Sequence, residues 1–143
     1  MSEISAYPGQ QTSGLWTLPS AQPTFSAYGS DPESRPLRLE AQVEHDPSVS
    51  AQGSGLIWSG SGDLSSGGCH TTTKCWLETP TVTAGRLKDG WLIRWRVRVS
   101  TSTGVASQWS EWQAATVAVS GTAGNGLGAV PATRGTDSWT LAS

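Results

Sequence analysis

The chain has 143 residues, enough for one domain with a core of its own. Only 14% of them are charged and the formal net charge is -2, so the basic excess of a nucleic-acid binder is missing. No apolar run approaches the roughly 20 residues that cross a bilayer as a helix, and no membrane insertion is expected.

Eight tryptophans, two cysteines and many Gly, Ser and Thr suit an all-β chain rich in turns. Met1-Ser2-Glu3 reads as a start added for expression, which predicts a piece of a longer secreted protein. Residues 1–14 (MSEISAYPGQQTSG) have no period and are expected to form a loose N-terminal arm. LWTL, 15–18, predicts an edge strand stopped by Pro19, and PTFSAY, 23–28, a second strand ended by the turn signal GSDPESRP. In PLRLEAQVEH, Leu37, Leu39, Ala41 and Val43 alternate with Arg38, Glu40, Gln42 and Glu44, the period of a half-buried strand. LIWSG, 56–60, is another short strand, and CWLETPTVT predicts one or two more, interrupted by Pro80. Leu87, in the turn AGRLKDG, is expected to plug the core. WLIRWRVRVS is the strongest strand and WQAATVAVS the last. No segment has helical periodicity. About seven short strands predict an antiparallel two-sheet β-sandwich over residues 15–120. A Gly/Ala-rich linker then leads, within 121–143, to the start of a possible next module.

Parity assigns faces in the strongest strand. Trp91, Ile93, Trp95, Val97 and Val99 share one side; Leu92, Arg94, Arg96 and Arg98 share the other. The apolar side must be the inner one, because reversing it would bury three guanidinium groups. In the last strand Val117 and Val119 should point inward, and Trp112, Ala114, Thr116 and Ala118 outward. Consecutive strands usually pair, so Trp112 falls on the arginine face, and Trp109 joins it if SQWSEW bulges. Stacked guanidinium and indole planes form cation–π contacts worth roughly 0.5–1 kcal/mol each. A structural ladder of Arg94, Arg96, Arg98, Trp109 and Trp112 is the preferred reading. An aromatic platform for sugar or another ligand, and a phosphate or nucleic-acid site, are its competitors.

The run Trp109-Ser110-Glu111-Trp112, following R-W-R-V-R, resembles the WSxWS box of fibronectin type III domains in cytokine receptors. There the box stacks with arginines of the neighbouring strand; here Gln113 replaces its last Ser. QPTFSAYGSDPE, LRLEAQVE, LKDGWLIRWRVRVS and SQWSEWQAATVAV, in that order, resemble fibronectin-type or immunoglobulin-like modules of large secreted actinobacterial proteins. Such modules often precede RHS/YD-repeat regions or belong to cell-surface proteins. The resemblance implies a noncatalytic extracellular spacer or interaction module, with no particular ligand.

Cys69 and Cys75, in GGCHTTTKCW, are spaced to close a small loop as a disulfide. Free thiols are one alternative. The other is a metal held by Cys69, His70 and Cys75, with His45 recruited from far away in sequence. A disulfide would place the chain in an oxidising, extracellular setting. Asp31 and Glu33 in SDPES suggest either a loop Ca²⁺ site or an Asp-capped turn, and the turn is preferred. No G-x-S-x-G elbow, phosphate loop or metal-binding His pair is present. No catalytic residue, cofactor or metal is therefore expected.

GLWTLPS and DSWTLAS, at 14–20 and 137–143, share W-T-L-x-S. The repeat is either a chance match or the mark of a fragment of a tandem array. In the second reading Trp139, Thr140 and Leu141 are either a severed end or, as preferred, an assembly strand that adds to the edge of its own or a neighbouring sheet. The leading expectation is a structural or interaction module of a secreted or cell-surface protein. Its partners would be other modules of the same or a neighbouring chain. The runner-up is a carbohydrate-binding module that uses Trp58, Trp76, Trp109 or Trp112 as exposed rings.

Overall fold

A computed structural model describes residues 3–119. The linker and the Trp139–Leu141 segment lie outside the described residues. Within them the chain forms nine strands and one short 3-10 turn, Ser50–Gln52. The strands are β1 (Glu3–Tyr7), β2 (Gln10–Thr12), β3 (Leu15–Leu18), β4 (Thr24–Gly29), β5 (Arg38–His45), β6 (Leu56–Ser61), β7 (Cys75–Glu78), β8 (Leu92–Ser100) and β9 (Gln113–Val117). The fold is all-β, as the composition predicts, and has two sheets. One has three strands in the order β1-β4-β7; the other has six, in the order β2-β3-β9-β8-β5-β6.

Period-two patterning explains the long central strands. In β8, Ile93, Trp95, Val97 and Val99 are buried, while Arg94, Arg96 and Arg98 are half-buried on the opposite side. In β5, Leu39, Ala41 and Val43 face inward. The three-stranded sheet contributes Ile4, Ala6, Phe25, Ala27 and Leu77 to the same core. Trp95 sits where the two sheets meet. Its ring lies 4.7 Å from that of Phe25 and 5.8 Å, edge-on, from that of Trp16. Such pairs add about 0.5–1.5 kcal/mol each beyond the area they bury. Leu87 is buried against this core, as the turn around it suggested.

Several expectations are corrected. Residues 3–7 and 10–12 are not a loose arm. Ile4 and Ala6 alternate inward from β1, which pairs antiparallel with β4 from Glu3↔Tyr28 to Tyr7↔Thr24. The chain then crosses to the large sheet, and β2 turns into β3 through Ser13-Gly14. Both turn residues have positive φ, 52° and 82°, as a two-residue hairpin requires. The pattern was missed because a five-residue strand with two small side chains, Ser5 and Ala6, carries little periodic signal.

The sandwich is also not wholly antiparallel. β3 runs parallel to β9, from Leu15↔Ala114 to Leu18↔Val117, and the remaining pairings are antiparallel. Pro80–Thr83 forms no strand, although Val82 is fully buried and its amide donates to the Pro23 carbonyl. β9 stops at Val117. Val119 is 47% exposed rather than inward, and its amide donates to the Asp89 carboxylate at 2.8 Å instead of to a strand.

Candidate functional site

The outer face of the six-stranded sheet holds the densest array of charge and aromatic surface. Its order is Arg94, Trp112, Arg96, Trp109, Arg98. The Arg94 and Arg96 guanidinium carbons lie 4.3 Å from the Trp112 ring centroid. Those of Arg96 and Arg98 lie 4.6 and 4.4 Å from the Trp109 centroid. Each indole is therefore clamped between two cations, and Arg96 is clamped between two indoles.

Segment 107–112 achieves this without being a strand. The Ser107 amide donates to the Val99 carbonyl, and the Ser107 hydroxyl accepts from the Val99 amide. Ser110 does the same with Val97, at 2.8 and 3.0 Å. Two serine side chains thus supply the acceptors that a neighbouring strand would have offered. Three residues of the segment advance past two of β8. Tryptophans spaced three apart consequently fall between arginines spaced two apart. Trp112, one residue before β9 begins, continues the outward parity of Ala114 and Thr116 and so meets the arginines as the alternation predicts. Trp109 reaches it because the segment leaves the strand path.

A second set of partners was not anticipated. The β5–β8 register places Glu44 opposite Arg94, Gln42 opposite Arg96 and Glu40 opposite Arg98. Arg94 Nε donates to Glu44 at 2.7 Å, Arg96 donates twice to Gln42 at 3.0 and 2.8 Å, and Arg98 donates to Glu40 at 2.9 Å. Partly exposed pairs of this kind are individually worth only about 0–1 kcal/mol. They nevertheless fix the guanidinium planes in the orientation that the stacking needs. Burial pushes the Glu40 carboxyl upward, but bonds from Ser100 and Arg98 outweigh it and hold the group below its usual range. The signal was present in the outward acid and amide residues of β5. What the sequence lacked was the register that pairs them.

The four tryptophans proposed for ligand binding have different fates. Trp58 is 7% exposed, its ring lies 6.2 Å from that of Phe25, and its indole N–H donates to Thr83. It offers no face to a ligand. A register shift in the β5–β6 pairing inserts Ile57 between the Trp58 and Leu56 partners, so consecutive Ile57 and Trp58 are both buried. Trp109 and Trp112 are half-buried in the ladder. Trp76 is exposed, on the outer face of the other sheet.

Cys69 and Cys75 are joined by a disulfide. The two sulfurs bond each other, so the metal reading with His70 loses its thiolates. His70 instead shares a 2.7 Å hydrogen bond with the Ser34 hydroxyl, and His45 packs its ring 4.7 Å from that of Trp91. The closed loop docks on the turn at 31–35: the Asp31 amide donates to the Cys69 carbonyl, and the Cys69 amide to the Arg35 carbonyl. That turn follows the capped reading. The Asp31 carboxylate accepts from the amides of Glu33 and Arg35 and from the Arg35 guanidinium, at 2.7 Å for Nε. The guanidinium bond, helped by the two amides, lowers the Asp31 pKa to about 2 despite burial.

No family model, curated protein or solved structure matches the chain. No helix among the described residues is long and apolar enough to cross a membrane.

Proposed function

We propose that the chain is a noncatalytic structural or interaction module, of fibronectin type III or immunoglobulin-like kind, in a secreted or cell-surface multidomain protein. The Arg–Trp ladder carries this reading. Each guanidinium is held by at least one indole face and one cross-strand acceptor, so the array serves the sheet rather than a ligand. The WSEW run and its stacking support the fibronectin-type assignment, and the disulfide supports an oxidising compartment. Neighbouring modules, of the same chain or another, are its natural partners.

The test is where the full-length protein resides in the organism that encodes it. Intact cells are labelled with a membrane-impermeant amine reagent, and the protein is analysed by non-reducing mass spectrometry. Labelled or released protein with Cys69 linked to Cys75 is expected. Unlabelled cytoplasmic protein with two free thiols would overturn the reading.

A further inference from the structure

We infer that the outer face of the three-stranded sheet binds a glycan through Trp76, Tyr28 and Glu78. The β4–β7 register sets Tyr28 opposite Trp76 and Ser26 opposite Glu78. Ala27 and Leu77, between them, are buried, so these four residues share the outer face. Tyr28 and Trp76 are each 37% exposed, with rings 4.8 Å apart, edge to face. Large rings left on a sheet surface give a ligand contact area at little conformational cost.

Glu78 makes the patch chemically selective. Its Oε2 accepts the Trp76 indole N–H at 3.1 Å, which holds the carboxylate at the edge of the ring. A carboxylate has about four acceptor positions, so further donors can be taken. The neighbouring Ser5 and Ser26 hydroxyls bond each other at 3.0 Å and are nearly fully buried, so the polar contacts of the patch fall to the carboxylate. The patch is thus a pair of inclined aromatic rings with a carboxylate on its rim. A pyranose matches it. One face of the sugar carries C–H groups that lie on an indole, and its edge carries hydroxyls that donate to a carboxylate. The negative rim favours neutral or amino sugars over acidic ones.

Size points the same way. β7 has four residues and β4 has six. Three strands of that length span roughly 13 by 10 Å, from the usual rise and spacing. This is far below the roughly 800 Å² that each partner of a stable protein complex buries, but it suits one or two sugar rings.

The inference goes beyond the module reading and does not rest on it: an extracellular spacer that binds no sugar fails only here, and a cytoplasmic sugar binder fails only there. The probe is an array of immobilised neutral and N-acetylated oligosaccharides, followed by calorimetric titration with cellohexaose, chitohexaose and mannohexaose. Binding to at least one of these is expected. Trp76→Ala should weaken it by about tenfold or more, and Glu78→Gln by a smaller factor, with Trp76→Phe between wild type and Trp76→Ala. Melting curves should show each variant folded. Leu56→Ala, exposed on the other sheet, should bind as wild type does. A wild-type protein that retains no sugar would overturn the inference. So would binding that survives Trp76→Ala unchanged, or that Leu56→Ala removes to the same extent.

Discussion

Arg96 shows how much one side chain can integrate. It stacks on Trp109 and Trp112 and donates twice to Gln42. Arg96→Ala should destabilise the protein by about 1–2 kcal/mol in urea unfolding, the sum of two stacks and the lost packing of the stem. Arg96→Lys should recover part of this, because an ammonium keeps the charge but not the plane. Arg96→Glu should cost more than alanine. Equal midpoints for all four proteins would show that the stacking contributes nothing. Asp31 makes a separate, pH-dependent contribution. Its pKa falls from 3.8 to about 2 on folding. A lowered folded-state value means that the carboxylate stabilises the fold above the unfolded value, and that this is lost as pH falls toward about 2. Asp31→Asn should therefore melt below wild type at pH 7, and the two curves should converge near pH 2. A gap independent of pH would mean that the carboxylate charge plays no part.

At the scale of elements, segment 107–112 behaves as an improvised edge to β8. Ser107 and Ser110 each take a β8 amide on a side-chain oxygen. Ser110→Ala leaves the Val97 amide without that acceptor, at a cost of about 1–2 kcal/mol. It should also loosen the tryptophans on both sides of it. Hydrogen exchange checks this: the Val97 amide should exchange faster in Ser110→Ala, and the Val99 amide faster in Ser107→Ala, each with less effect on the other. Unchanged protection at both would assign the docking of the segment to the indoles alone.

For the whole molecule, the disulfide loop matters through what it rests on. The loop from Cys69 to Cys75 holds the turn at 31–35 by two backbone bonds. In the chain-entropy view so short a loop contributes about 2 kcal/mol. Cys69→Ala with Cys75→Ala should lower stability by about that much under oxidising conditions, and the Asp31 amide should lose exchange protection. Wild type in reductant should behave like the double variant. If reduction leaves both readouts unchanged, the loop is held by its backbone contacts and not by the bond.

Period two and charge by themselves determined the all-β class, the inner and outer faces of β5 and β8, and the meeting of arginines with Trp112. The reason is local: alternation along a strand fixes which side can be buried, whatever the partner. Closure of Cys69 on Cys75 was legible for a similar reason, since a short loop keeps its ends close. The tertiary structure alone decided register and edge. It drew residues 3–7 into a sheet by offering β4 as a partner. It set β3 parallel to β9, buried Trp58 through a bulge, and gave each arginine its acceptor across β5. It also left Tyr28 and Trp76 side by side in the open. These outcomes depend on contacts between residues far apart in sequence, where a shift of one residue reverses every face, and no local pattern encodes that choice.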